Sequence, residues 1–159
     1  MSIELVRSAF EPLGIAGRIL EFDVSSATVE LAAQAVGTEG ARIAKTLSFH
    51  KKEEGCMLIV TAGDMKIDNG KFKARFGMKA KMLSADEALA MTGHAVGGVC
   101  PFALPHGVEV YLDISMRRFA TVFPAAGSAN SAIELTCEEL ERYSGGTWVD
   151  VCKPIAPVE

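Results

Sequence analysis

Apolar residues at helical spacing open the chain. Ile3, Leu5, Val6, Phe10 and Leu13 define an amphipathic helix over residues 2 to 13, closed by Pro12-Leu-Gly14. A short strand from Arg18 to Phe22 is expected next. Val29 to Val36 is rich in helix formers, with hydroxyl caps in Ser25-Ser-Ala-Thr28 before it and Gly37 behind. The period then changes to two. Ile43, Leu47 and Phe49 share one parity of a strand, and Met57-Leu-Ile-Val-Thr-Ala62 reads as a buried strand; Glu53-Glu-Gly55 makes the pair a hairpin.

Asp68 to Phe76 reads as a short helix ended by Gly77. Ser84-Ala-Asp-Glu87 is a capping box, so a helix should run from Ala85 to Met91 and stop at Gly93. Val108 to Ile114 alternates as a strand. Thr121-Val-Phe123 and Ala132-Ile-Glu-Leu135 stand on either side of the turn-rich Pro124 to Asn130. Thr136-Cys-Glu-Glu139 is a second capping box, opening a helix that ends near Tyr143-Ser-Gly-Gly146. Trp148 to Val151 would be the last strand, and Lys153-Pro-Ile-Ala-Pro157 a loosely held tail. Five or more strands interleave with about four helices without a strict βαβ period, which favours a mixed α+β fold.

Composition sharpens this picture. With 159 residues, 49% of them hydrophobic, the chain suits one domain spanning residues 1–159. The net charge is −4 and the pI about 5.4, so RNA contact would need a local basic patch, for which Lys66, Lys71, Lys73, Arg75, Lys79, Lys81 and Arg117 are available. The N-terminus carries Glu4 and no long apolar core, and no stretch approaches the roughly 18 apolar residues that span a bilayer, so a cytoplasmic protein away from membranes is expected. Cys56, Cys100, Cys137 and Cys152 are scattered without a C-x-x-C pair and read as small hydrophobes.

The candidate chemistry centres on His94-Ala-Val-Gly-Gly-Val-Cys-Pro-Phe-Ala103, where two glycines and a proline interrupt an apolar segment. Glycine lets backbone approach a ligand and take dihedrals closed to other residues, and Pro101 stiffens the exit. His94 and His106 flank the run, while His50 is expected to be exposed. Lys45 shares the parity of Ile43, Leu47 and Phe49, so its ammonium either snorkels to a rim or sits at a pocket. Gly127-Ser-Ala-Asn-Ser131 is a turn with three polar side chains; opposite Gly97-Gly98, it would form the second wall of a cleft. Asp113 could pair with Lys45, Arg117 or Arg118 at the surface. A G-x-S-x-G elbow, a P-loop, a Rossmann fingerprint and histidines at ligand spacing are all missing, so a triad or metal hydrolase has no support.

Four segments in order resemble the YbaK/EbsC family, free-standing relatives of the prolyl-tRNA synthetase editing domain. They are Ala41 to Leu47, Thr92 to Phe102, Val110 to Asp113 and Phe119 to Leu135. The resemblance implies a mixed, barrel-like sheet surrounded by helices and an aminoacyl-tRNA deacylase without metal or cofactor. Its substrate would be mischarged tRNA, tRNA(Pro) first, with prolyl-tRNA synthetase a potential partner. The family lysine falls on Lys45 and the glycine of its G-x-x-x-P element on Gly97. Lys45, Gly97 and Gly98 are thereby implied as catalytic, and Thr46, His94, Val99, Pro101, Phe102, Asp113, Gly127, Ser128 and Asn130 as substrate-binding.

The chain departs from the cysteine-specific branch, whose last loop reads Ser-Gly-Gly-Lys-Arg-Gly-Leu-Asp. Ala125 stands at the serine, Ser128-Ala129 at the basic pair and Ala132 at the aspartate, which favours a small amino acid over cysteine. Val29, Leu47, Met78 and Phe102 are the side chains expected to set pocket size. A binding module that holds a nucleotide or aminoacyl-tRNA without turnover, docked on a synthetase, is the alternative. The residues leave the amino acid, the tRNA and the oligomeric state open.

Overall fold

The computed structural model describes residues 2–155. A six-stranded mixed sheet runs in the order β8 (Leu135–Thr136), β6 (Thr121–Pro124), β2 (Ile43–His50), β3 (Cys56–Ala62), β5 (Glu109–Asp113) and β9 (Thr147–Val149), and two short pairs, β1 (Ile19–Glu21) with β7 (Ser131–Ile133) and β10 (Cys152–Pro154) with β4 (Met65–Ile67), extend the curl into a half-barrel with five α-helices about it. The centre is β2 (Ile43–His50) against β3 (Cys56–Ala62), antiparallel from Ala44↔Ala62 to His50↔Cys56, as the hairpin expectation required. Every residue of β3 is buried because sheet and helices cover both its faces. Val60, Ala62, Leu112, Val122 and Leu135 share one core with Phe10 and Phe102; Phe49, Met57, Ile59 and Phe72 form a second on the other face.

The helices form where their caps are. Thr28 Oγ1 accepts from Leu31 N at the start of α2 (Val29–Val36), and Gly37, at φ 76°, ends it. Asp68 caps α3 (Asn69–Phe76), and both capping boxes form, at Ser84 for α4 (Ala85–Thr92) and at Thr136 for α5 (Cys137–Ser144). The first helix, α1 (Ser2–Phe10), is shorter than its apolar spacing suggests. Val6 and Phe10 are buried, but Leu5, within the helix, is more than half exposed, as is Leu13, where turns through Pro12 to Gly14 replace the last helical turn.

Among the strands, β1 (Ile19–Glu21), β5 (Glu109–Asp113), β6 (Thr121–Pro124) and β9 (Thr147–Val149) stand close to their expected places. The expected strand Ala132 to Leu135 divides in two. Its first part, β7 (Ser131–Ile133), pairs with β1, and its second, β8 (Leu135–Thr136), pairs with β6. The switch falls at Glu134, whose carbonyl accepts from Arg18 Nη2 at 2.6 Å and whose carboxylate accepts from Thr121 Oγ1 at 2.6 Å. The loosely held tail is a correction. Lys153 and Pro154 belong to β10 (Cys152–Pro154), which pairs with the unexpected β4 (Met65–Ile67), and Ile155 N donates to Asp64 O; Ala156 and Pro157 lie outside the described residues.

A candidate active-site cleft

Parallel pairing between β2 and β6 covers only Ile43↔Phe123 and Ala44↔Pro124. Beyond it β6 leaves, and the next neighbour of that edge is the segment 81–83, where Leu83 N donates to Ser48 O and His50 N to Lys81 O. Backbone groups alternate sides along a strand, so Thr46 turns its N–H and C=O to the same edge as Ser48 and His50, in the gap between the two neighbours. A cavity of about 550 Å³ opens there, walled by β2 from Ile43 to Ser48, the start of α2, Val96, Gly97 and Val99, and Ala125, Ser131 and Ala132. Among the described residues no Asp or Glu lines it.

Lys45 stands opposite Thr61 and is half-buried on the cleft wall. Burial holds its pKa below the usual lysine value, and the negative charge of Asp64 offsets this only in part. Asp64 is engaged elsewhere, bound in two-pronged fashion by Arg118 at 2.7 and 3.0 Å. Among the described residues Lys45 has no ion pair. Thr46 Oγ1 and Ser26 Oγ are also buried on this wall without a hydrogen-bond partner among the described residues; the sequence offers Ser26 only within a run of hydroxyl caps, and loop pairing brings it to the cleft.

The glycine run forms a turn in which Gly98 N donates to Ala95 O at 2.9 Å and Gly97 takes φ 94°, as the third position of a type II turn demands. Gly97 lies on the cleft wall, and a Cβ there would stand 3.1 Å from Ala27 Cβ. Gly98 is pressed against the backbone of Ser128. The Gly127 to Ser131 turn therefore does meet the glycine run, and it is tied to the segment before α2 by Phe22 N to Asn130 O (2.8 Å) and Ser26 N to Ala129 O (2.6 Å).

The structure thus gathers Lys45, Thr46, Gly97 and Val99, with Val29 and Leu47 among the size-setting residues. The other expected contacts fall elsewhere. Gly98 spends its N–H inside the turn, and His94 is fully buried behind the loop, with Nε2 2.8 Å from Phe102 O. Pro101 and Phe102 are buried, Phe102 edge-on to Phe10 at 5.0 Å between ring centres. Ser128 Oγ binds Ser131 Oγ and Asn130 Oδ1, Asn130 Nδ2 donates to Phe22 O, and Gly127 is buried in the turn, so this loop braces itself while Ser131 supplies its share of the wall. Met78 lines a separate hollow with Lys51, Lys52 and Phe76.

Asp113 makes no surface ion pair. It is 1% exposed, and its carboxylate accepts from Ser115 N and Val151 N, both at 3.0 Å, joining β5 to the end of the chain. His106 is exposed, and His50 is half-buried beside Glu87 at 3.3 Å. Burial pushes the Cys100 thiol up to about 12, which removes it as a nucleophile and leaves it a packing residue. Among the described residues no group of His, Cys, Asp or Glu could hold a metal ion, and no helix is long and apolar enough to cross a membrane.

The model of a family described as an aminoacyl-tRNA editing domain matches residues 24–143, which include every residue of the cleft. The uncharacterized protein YwhH of Bacillus subtilis is 54% identical over 154 residues, covering 96% of this chain and 98% of that one. A candidate Cys-tRNA(Pro)/Cys-tRNA(Cys) deacylase, EbsC of Enterococcus faecalis, is 27% identical over 78% of this chain and 76% of its own. The crystal structure of a candidate trans-editing enzyme for prolyl tRNA synthetase superposes with a TM-score of 0.86 at 29% identity, covering 96% of this chain and 97% of that one.

Proposed function

The chain belongs to the aminoacyl-tRNA editing domain family, and from that premise we propose that it deacylates mischarged tRNA, tRNA(Pro) bearing a small non-cognate amino acid, as a trans-acting companion of prolyl-tRNA synthetase. One observation carries this reading: a half-buried lysine without an ion-pair partner, Lys45, shares a carboxylate-free cleft with the backbone of Gly97. A buried cation without a counter-ion is costly, and the ester carbonyl or the terminal phosphate of a tRNA supplies the missing partner.

An aminoacyl ester is already activated, so positioning and stabilisation of the developing oxyanion suffice. Water adds to the carbonyl carbon, the bond from that carbon to the ribose oxygen breaks, and the ribose oxygen leaves with a proton as the terminal hydroxyl of tRNA. Lys45 and the backbone at Gly97 face the charge that develops on the carbonyl oxygen, while the open edge at Thr46 offers N–H and C=O groups that align the substrate. Val29, Ile43, Leu47 and Phe123 give the acyl side chain an apolar seat. Steady-state release of free amino acid from tRNA(Pro) charged in turn with alanine, serine, threonine and cysteine tests the reading. Hydrolysis of a small-residue ester, lost in Lys45→Ala, is expected; protection of every ester would instead mark a binding module.

A further inference from the structure

The site of deacylation is built on a loop whose base is closed by a side chain the cleft never touches. His94 is wholly buried, and its Nε2 lies 2.8 Å from the carbonyl oxygen of Phe102, eight positions along the chain. A carbonyl only accepts, so Nε2 carries the proton and Nδ1 is the bare nitrogen of a neutral ring. Burial disfavours the imidazolium, and Nδ1 indeed has no partner among the described residues. On its other side His94 is anchored to the end of α4: its N–H donates to Thr92 Oγ1 at 3.1 Å, and that hydroxyl donates to Ala88 O at 2.6 Å.

Between these anchors the loop packs Gly98 against the backbone of Ser128 and sets Cys100 Sγ 3.6 Å from His94 Nε2. The turn bond from Gly98 N to Ala95 O is internal to its tip. Directly after the Phe102 carbonyl stands Ala103 at φ 53°, the only non-glycine residue with positive φ among the described residues. Such a conformation is strained for alanine and persists only where its surroundings hold it. The Phe102 ring is locked in the core against Phe10, so a bond to its carbonyl transmits the position of the core to the loop.

We infer that His94 is the positioning residue of the site: by donating from Nε2 to Phe102 O it latches residues 95–101 and sets the backbone of Gly97 in the cleft. This rests on the deacylase reading for its catalytic consequence, but not for the latch itself. Leucine at position 94 would fill the space and leave the Phe102 carbonyl only the weak, long contact from Cys100 Sγ at 3.9 Å; glutamine can return an N–H to nearly the place of Nε2.

The full-length chain with His94→Leu and with His94→Gln tests this against seryl- and alanyl-tRNA(Pro). His94→Leu should lower kcat at least tenfold with KM changed less than about twofold, and His94→Gln should restore a large part of that loss. An unchanged kcat in His94→Leu overturns the inference, as does equal loss in both variants. Amide hydrogen exchange of residues 95–100 decides the latch without reference to turnover, and in His94→Gln even if His94→Leu does not fold. Exchange should be fast in His94→Leu and near that of the native chain in His94→Gln; protection lost in His94→Gln as well overturns the latch. If the native chain hydrolyses none of the esters while His94→Leu still frees the loop, the deacylase reading falls and the latch stands.

Discussion

Gly98 and Ser128 meet backbone to backbone: a Cβ on Gly98 would stand 2.7 Å from Ser128 Cα and 2.8 Å from Ser128 N. Two loops separated by some thirty residues are thereby clamped into one wall, and the clamp needs a residue with no side chain. Gly98→Ala should force the loops apart, at a cost of about 1–3 kcal/mol typical of overpacking. Thermal unfolding together with deacylation would register both losses.

Gly97→Ala should act differently. Its Cβ would meet Ala27 Cβ at 3.1 Å and Ala129 Cβ at 3.4 Å, contacts that yield slightly, but φ 94° is closed to alanine. The turn must change shape where it faces the cleft. Activity should fall at least tenfold with a modest loss of stability, measured as kcat/KM beside a denaturant midpoint.

Lys45→Ala should abolish measurable deacylation, at least a hundredfold in kcat/KM or about 2.7 kcal/mol of transition-state stabilisation, while the far-ultraviolet circular dichroism is unchanged. Retained turnover would remove the lysine from the mechanism.

The same lysine should cost stability. Its folded pKa lies below the unfolded value, so between the two the unfolded chain binds more protons, and stability gains as pH rises through that window. Below the window the penalty is constant. Lys45→Met should therefore be at least as stable as the native chain at pH 7, with its advantage shrinking as pH approaches 10.5, the unperturbed value. Urea titrations at pH 7 and pH 10 compare them; a lysine that stabilises the fold at neutral pH would show the opposite sign.

Glu139 works in the other direction. The Arg18 guanidinium and the Thr136 backbone N–H hold its carboxyl down at about 2, against an ordinary 4.5. Its contribution is fully present above pH 4.5 and is lost as pH falls toward 2. Glu139→Gln should unfold more readily than the native chain at pH 6, with the difference closing by pH 2. Thr136→Ala removes the opposite half of the capping box and should cost about 1 kcal/mol. Acid titration followed by fluorescence of Trp148 reads both.

Local patterns were readable from the sequence wherever the cause is local. Caps at Thr28, Ser84 and Thr136 set helix starts because each hydroxyl binds the N–H three residues on, and β2 and β3 announce themselves through their apolar spacing. Lys45 stood out for the same reason, as a charge on the parity of Ile43 and Leu47. The short β4 and β10 did not, because three-residue strands with Lys66 and Lys153 facing one another carry no alternation of their own and exist only as a pair.

The sequence alone determined which residues could serve: a lysine on an apolar strand, two glycines in an apolar run, and a polar turn capable of facing them. Only the tertiary structure decided their division of labour, because that depends on where β6 leaves β2 and on which loops then touch. Gly97 reached the cleft while Gly98 turned inward, Asp113 and His94 became internal ties, and Ser26 arrived at the wall through pairing with Ala129. Hydrogen-bond valence is the physical reason: a donor or acceptor satisfied within the fold is withdrawn from the ligand, and no run of residues shows which of its groups are already spent.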